Sequence, residues 1–307
     1  MKLMPPPNIE QPDIVLVAAG TSLGSFSTGA ENGPSTMMEA GLAGVLATVA
    51  RQIRELEVPD VSIAGSDVSG IRNAAQLIPW LAALRQLTTQ VGPTEITIVL
   101  GGDHSVGVAS LLATKTRHPD AVCIYIDAHP DCQAPETSPT GNLHGMPVRI
   151  ACGQALSESF VGPYWHPSDV FMLGIKDIDL AEANWIQQAD VPNATMDDVI
   201  GGGIGLIMDQ IADWIAGRPV HVSYDIDAID SLYAPGTGIR NQGGLSYREA
   251  TYISRRLSRQ RIVAVDLVEF NPRRDIDGQT CQLSLELLGH LFGARWDGYT
   301  RYLHTSR

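Results

Sequence analysis

Cysteine is scarce in this chain: Cys123, Cys132, Cys152 and Cys281 are the four among 307 residues, and none falls in a CxxC spacing. That excludes a disulfide framework, and the thiols read as reduced side chains of a cytoplasmic protein. Long apolar runs are missing as well. No apolar stretch of about 18 residues occurs, and Met1 to Gln11 is rich in Pro and Asn rather than basic and then apolar, so no membrane span or secretory signal is expected. Basic residues are outnumbered, 21 Lys and Arg against 34 Asp and Glu, for a formal net charge of -13. Such a surface repels a phosphate backbone and lacks a basic stripe, which excludes nucleic acid as a partner and favours a cationic small molecule.

Linkers and fixed-period repeats are also lacking. Gly201 to Gly205 has neither the Lys nor the Ser/Thr of a phosphate-binding loop and reads as a turn leading into a helix. Pro5 to Pro7 reads as a disordered or extended terminus. With 44% hydrophobic residues the chain can bury a sizeable core, and a single domain over residues 1–307 is expected.

What is present is an alternation. Short apolar, β-rich runs at Asp13–Ala18, Val61–Ala64, Glu95–Leu100, Ala121–Ile126, Asp169–Leu173, Val220–Tyr224 and Ile262–Val268 predict strands buried on both faces. Between them, helical patterns run over Ser35–Glu57, Asn73–Gln90, Ser105–Thr116, Leu180–Gln188, Ile204–Ala216, Tyr247–Arg259 and Cys281–Ala294. The alternation predicts an α/β fold, a mostly parallel sheet sandwiched by helices.

Four polar clusters break this pattern where candidate strands end, the edge at which a parallel sheet binds ligands. They are Gly-Gly-Asp-His-Ser at 101–105, Asp-Ala-His-Pro-Asp at 127–131, Ser-Tyr-Asp-Ile-Asp-Ala-Ile-Asp at 223–230, and Asp266 with Glu269. In extended backbone, residues two apart face one side, so Asp127, His129 and Asp131 can converge, as can Asp225 and Asp227. Ionisable groups crowded at a buried strand end need a positive charge among them. With His104 they amount to six donors, too many for one zinc and suited to two harder divalent ions. Oxygen-rich coordination with some imidazole favours manganese and is compatible with nickel, cobalt, iron or zinc. Glu269 needs a cation, either a substrate guanidinium or a protein Arg. His144 has the ordinary pKa of a proton shuttle near neutrality, and equally that of a structural histidine.

These motifs resemble the ureohydrolase family of arginases, agmatinases and formiminoglutamases, most closely the arginases. The matching pieces are GGDHS at 101–105, DAHPD at 127–131, GNLHGMP at 141–147, SYDIDAID at 223–230, GGLSYRE at 243–249 and VEFNP at 268–272, with Gly29 to Pro34 and Ala40 to Leu42 also similar. The resemblance implies a three-layer α/β/α fold around a parallel sheet of about eight strands, usually assembled as trimers or hexamers. It implies one ion on His104, Asp127, Asp131 and Asp225 and a second on His129, Asp127, Asp225 and Asp227, with Asp131, His144 and Glu269 as catalytic residues. Asp179 and Glu182 match the arginase acids that meet the substrate's α-amino group. Asn142, Gln133 and Thr140 join them as substrate-binding candidates.

Departures gather at the substrate end. Gln133 stands where arginases carry Asn, Thr140 replaces a Ser, and Ile239-Arg240 replaces Thr-Pro. Ser231 follows Asp230 in place of Pro, and Met38 sits where Arg is common. Arg240 reads either as a cleft-rim residue that binds a distal acid group of the substrate or, equally, as a solvated surface Arg. The implied reaction is hydrolysis of L-arginine or a related guanidino compound to urea and an amine such as ornithine. The alternatives are a sister activity on guanidinobutanoate, agmatine, a modified arginine or formiminoglutamate, and a metal-binding subunit without catalysis.

Overall fold

The apolar runs become the strands of one parallel sheet. In the computed structural model, which describes residues 3–4, 11–59, 61, 65 and 68–296, the strands are β1 (Asp13–Ala19), β2 (Gln52–Glu57), β3 (Ile96–Gly101), β4 (Val122–Ile126), β5 (Val170–Ile175), β6 (Asn193–Thr195), β7 (Val220–Asp225) and β8 (Ile262–Val268). Their order across the sheet is β2-β1-β3-β8-β7-β4-β5-β6, and every pairing is parallel. A separate antiparallel pair joins Leu3–Met4 to Arg295–Trp296.

The connecting helices are α1 (Gly33–Glu39), α2 (Leu42–Leu46), α3 (Ala74–Thr89), α4 (Val106–Arg117), α5 (Pro147–Ala151), α6 (Leu180–Gln188), α7 (Met196–Gly202), α8 (Ile204–Ile215), α9 (Tyr247–Leu257) and α10 (Gln279–Leu291). Side-chain alternation along the strands distributes them over two faces. Ile14, Leu16, Ile124 and Val222 meet Ile211, Ile253 and Leu287 of α8 to α10. Val15, Val17 and Val99 point the other way, onto Leu77 and Leu81 of α3 and Leu112 of α4. The result is the expected three-layer α/β/α arrangement. No helix among the described residues is long and apolar enough to cross a membrane.

Six of the seven expected strands are found. The seventh, Val61–Ala64, lies outside the described residues except for Val61, as does Pro5 to Pro7. The expected helix over Ser35–Glu57 is instead α1, α2 and the edge strand β2, with Gly41 at φ +100 between the two short helices. Ile53 and Leu56 stand three apart among charges and mimic a helical stripe, but a charged sequence also suits an exposed sheet edge. The other strand not foreseen, β6, is the opposite edge. Gly201 to Gly205 does lead into a helix: Gly203 at φ +79 separates α7 from α8.

The topology explains the clustering of the motifs. The chain leaves β3 on one side of β8 and β7 and resumes at β4 on the other, so these four central strands, β3, β8, β7 and β4, are neighbours. Their carboxyl ends at Gly101, Val268, Asp225 and Ile126 open onto one crevice, as expected where strand order switches direction.

Candidate active site

Each motif is shaped by its own backbone. After β3, a Cβ on Gly102 would stand 1.8 Å from the Thr21 carbonyl oxygen, so only glycine allows this close crossing. Asp103 then binds the loop: its Oδ2 accepts from Gly24 N at 2.8 Å and its Oδ1 from Ser105 N at 3.0 Å. Burial and the neighbouring Glu269 charge push Asp103 up to about 6.

After β4 and β7 the same local device recurs. Asp127 Oδ1 accepts from His129 N at 2.8 Å, and Asp225 Oδ1 accepts from Asp227 N at 2.7 Å. Each carboxylate thus closes a turn over the residue two places on with one oxygen and leaves the other facing the crevice. The convergence foreseen from a flat period of two is achieved by these turns instead. Residues 226–228 form a 3-10 turn, and Asp131 adopts φ +49, a left-handed conformation uncommon outside glycine.

Carboxylate oxygens of these motifs surround two imidazoles. His104 Nδ1 lies 3.0 Å from Asp127 Oδ2, 3.1 Å from Asp131 Oδ2 and 3.1 Å from Asp225 Oδ2. His129 Nδ1 lies 3.3 Å from both Asp127 Oδ1 and Asp227 Oδ2. One ring N–H cannot serve three carboxylate oxygens. Asp127 Oδ2 and Asp227 Oδ1 are buried without a well-directed hydrogen bond. Burial and mutual repulsion hold Asp127 up at about 6 and Asp225 well above the ordinary carboxylate value. Burial works the same way on Asp131, but the His104, His129 and His144 rings outweigh it and hold that carboxyl low.

This chemistry fits cations. His104, Asp127 and Asp131 form one donor group and Asp127, His129 and Asp227 a second, sharing Asp127. Two donors at right angles on an octahedral ion, each about 2.1 Å from it, stand about 3.0 Å apart, close to the separations here.

Beside these groups lie Glu269 and His144. Glu269, at the end of β8 with φ +62, accepts through Oε1 from His104 N at 2.9 Å and from His144 Nδ1 at 3.1 Å. A carboxylate only accepts, so Nδ1 carries the proton and Nε2 is the exchangeable position. Burial opposes a charge on His144, but the Glu269 hydrogen bond and the Glu269, Asp103 and Asp131 charges raise it to about 9. A Cβ on Gly238 would stand 3.3 Å from Glu269 Oε2, so glycine keeps that oxygen approachable.

One cleft of about 180 Å³ unites these groups. His129, Asp131, His144, Asp225, Asp227 and Glu269 line it together with Gln133, Thr140, Asn142, Asp179 and Glu182. Asp179 and Glu182 are also a helix-capping pair: Asp179 Oδ1 accepts from Glu182 N at 2.9 Å, and Glu182 Oε2 from Asp179 N at 3.4 Å. Burial and the Asp131 charge push Glu182 up to about 7. Gln133 is spanned, its Nε2 donating to Asp179 Oδ2 and its Oε1 accepting from Thr137 Oγ1 at 2.6 Å.

Arg240 takes the surface position of its two readings rather than the cleft rim. Its Nε donates to Pro235 O at 2.9 Å and its Nη2 to Arg274 O at 3.0 Å, and Ile239, not Arg240, lines the cleft. These two backbone carbonyls hold the guanidinium of the exposed Arg240.

Sequence reading also passed over Ser138, which lines the cleft, and a buried network beneath it. His104 Nε2 is 2.9 Å from Ser223 Oγ, which lies 3.4 Å from Asp266 Oδ2. Asp266 Oδ2 also accepts from Ser110 Oγ at 2.5 Å and meets His221 Nε2 at 2.9 Å, while His221 Nδ1 meets Thr114 Oγ1 at 2.8 Å. The signal was present, since His221 and Asp266 are polar residues inside apolar strands.

Comparison with known proteins gives a consistent answer. A model described as Arginase family matches residues 12–293. The arginase of Staphylococcus aureus strain COL is 32% identical over 292 residues, covering 91% of this chain and 97% of that protein. Among solved structures, Entamoeba histolytica arginase in complex with L-ornithine superposes with a TM-score of 0.85 at 27% identity, covering 93% of this chain and 100% of the other. The proclavaminate amidino hydrolase of Streptomyces clavuligerus superposes with a TM-score of 0.71 at 25% identity, over 95% and 94% of the two chains.

Proposed function

Because the chain belongs to the arginase family of hydrolases, we propose that it hydrolyses a C–N bond of a guanidino compound, with L-arginine the first candidate and urea and ornithine the products. The observation that carries this is the shared-Asp127 pair of donor groups beside Glu269 and His144, in the same cleft as Asp179 and Glu182.

In this reading His104, Asp127, Asp131 and Asp225 would hold one ion and His129, Asp127, Asp225 and Asp227 the other. The oxygen-rich set favours Mn²⁺ over Ni²⁺ or Co²⁺. Ions bound by these residues would supply Lewis acidity, lowering the pKa of a water toward neutrality. Glu269 orients the planar guanidinium through its approachable Oε2, a charge-assisted contact that Lys-like point charges do not match in geometry. Asp131 lines the cleft beside His144 and is placed to accept the nucleophile's proton. His144, anchored through Nδ1, delivers a proton from Nε2 to the departing amine. Asp179 and Glu182 receive an α-ammonium group, and Ser138, Thr140 and Asn142 offer donors to a carboxylate.

A second reading draws on Gln133 and Ile239. The Gln133 amide is engaged at both ends, and Ile239 presents an apolar side chain to the cleft. Both alter the substrate end and favour a modified arginine, guanidinobutanoate, agmatine or formiminoglutamate. A panel of these compounds, assayed for urea, formamide or ammonia on chain loaded with Mn²⁺ or Ni²⁺, separates the readings. Fastest turnover of L-arginine supports the first, and of another member the second. Two bound ions with no turnover of any compound would leave a non-catalytic metal-binding protein.

A further inference from the structure

Tyr125, the penultimate residue of β4, reads in the sequence as one more apolar strand position. Its ring is fully buried among Cys123, Val170 and Met172, and packing alone would be served by phenylalanine. The oxygen is what needs a reason, since a buried hydroxyl without a partner is disfavoured.

That oxygen sits among the candidate metal donors. Tyr125 Oη donates to Asp131 Oδ2 at 2.8 Å and lies 3.1 Å from His104 Nδ1. The phenol ring is parallel to the His104 imidazole, with centroids 4.7 Å apart and planes 3° apart. We propose that Tyr125 is a positioning residue of the hydrolytic site, its ring holding the His104 imidazole and its hydroxyl holding the Asp131 carboxylate, so that both donors are aligned before an ion arrives.

The two donors need this help for different reasons. Asp131 lies outside any helix or strand, in a left-handed backbone conformation, so its chain segment does not by itself select one carboxylate orientation. His104 is anchored at Nε2 by Ser223, which leaves rotation about that anchor to be limited by a ring face. One side chain on a rigid central strand meets both requirements, and outer contacts of this kind typically change metal affinity by about 10- to 100-fold. The inference rests on the metal-dependent reading of the site.

The test is Mn²⁺ binding to the metal-free full chain by isothermal titration calorimetry, with Tyr125→Phe against wild type. Removing the oxygen alone is expected to weaken one of the two sites by about 10- to 100-fold and to leave the other, built on His129 and Asp227, within a few-fold. Turnover should then recover at excess Mn²⁺ with KM unchanged. Ion binding should also perturb tyrosine ultraviolet absorbance in wild type, a readout that needs no variant, and Tyr125→Phe should lose that signal. Equal affinities at both sites in the two chains, or no tyrosine signal in wild type, would overturn the assignment. So would parallel weakening of both sites with a lower melting temperature, since that marks a general packing role. Failure of wild type to bind two ions would instead bring down the metal-dependent reading itself, and this inference with it.

Discussion

Asp266→Asn tests whether the buried network under the site is a support for His104. Asp266 is fully buried in the middle of the sheet, and its Oδ2 takes two short contacts, from Ser110 at 2.5 Å and His221 at 2.9 Å. Hydrogen bonds to a charged group contribute about 1.5–3 kcal/mol and neutral ones about 0.5–1.5. Neutralising the acceptor therefore removes about 1–1.5 kcal/mol from each, roughly 2–3 in all. Asp266 Oδ1 already lacks a hydrogen-bond partner, so the new amide NH₂ exchanges one unsatisfied buried atom for another and adds no further full penalty. The expected loss is therefore about 2–3 kcal/mol. It is a large part of the 5–15 kcal/mol that holds a typical domain folded. Urea denaturation in the presence of chelator should show it as a lower midpoint with an unchanged slope. Because Ser223 links Asp266 to His104 Nε2, Mn²⁺ affinity should fall as well, by about tenfold or more. A loss below about 1 kcal/mol, under the weakening of the two hydrogen bonds, together with unchanged Mn²⁺ affinity, would refute the reasoning.

Three further outcomes are expected. His144→Asn should lower kcat by about 10²- to 10⁴-fold with both ions retained by elemental analysis, and a metal-free variant would make His144 a ligand instead. Arg240→Ala should leave KM for L-arginine and agmatine alike, because its guanidinium is bound to Pro235 and Arg274 carbonyls; a KM rise confined to the carboxylate-bearing substrate would return Arg240 to the cleft. His118 is pushed down from 6.5 to about 4, by burial and then by the Arg117 and Arg261 charges. Between those values the unfolded chain takes up a proton that the folded chain refuses, so stability falls as pH drops through that window. His118→Gln should show a shallower acid loss in denaturant titrations at pH steps across it, and parallel curves would mean that His118 is not held neutral by the fold.

The sequence by itself determined the central architecture and picked out the candidate donors that the fold brings together. Runs such as Ala121–Ile126 and Ile262–Val268 are apolar because strands covered on both faces have nowhere to expose a polar group, and Asp or His at their ends marks where burial gives way to chemistry. Those signals are local, a few residues wide, and can be read without knowing the partner. Edge strands were hidden for the converse reason. Gln52–Glu57 and Asn193–Thr195 each have one free side, so charge and polarity are tolerated and the periodicity is lost. Partner identity belonged to the tertiary structure alone. Asp266 meets His221 across 45 residues and Ser110 across 156, and no local pattern announces such a meeting. Arg240 read equally as a carboxylate binder or a surface residue from its loop position, because the direction of a long side chain is chosen by the acceptors within reach, here the Pro235 and Arg274 carbonyls. Tyr125 looked like core because its ring is core, and only the folding of β4 against the loop after β3 brings its oxygen to Asp131 and its ring face to His104.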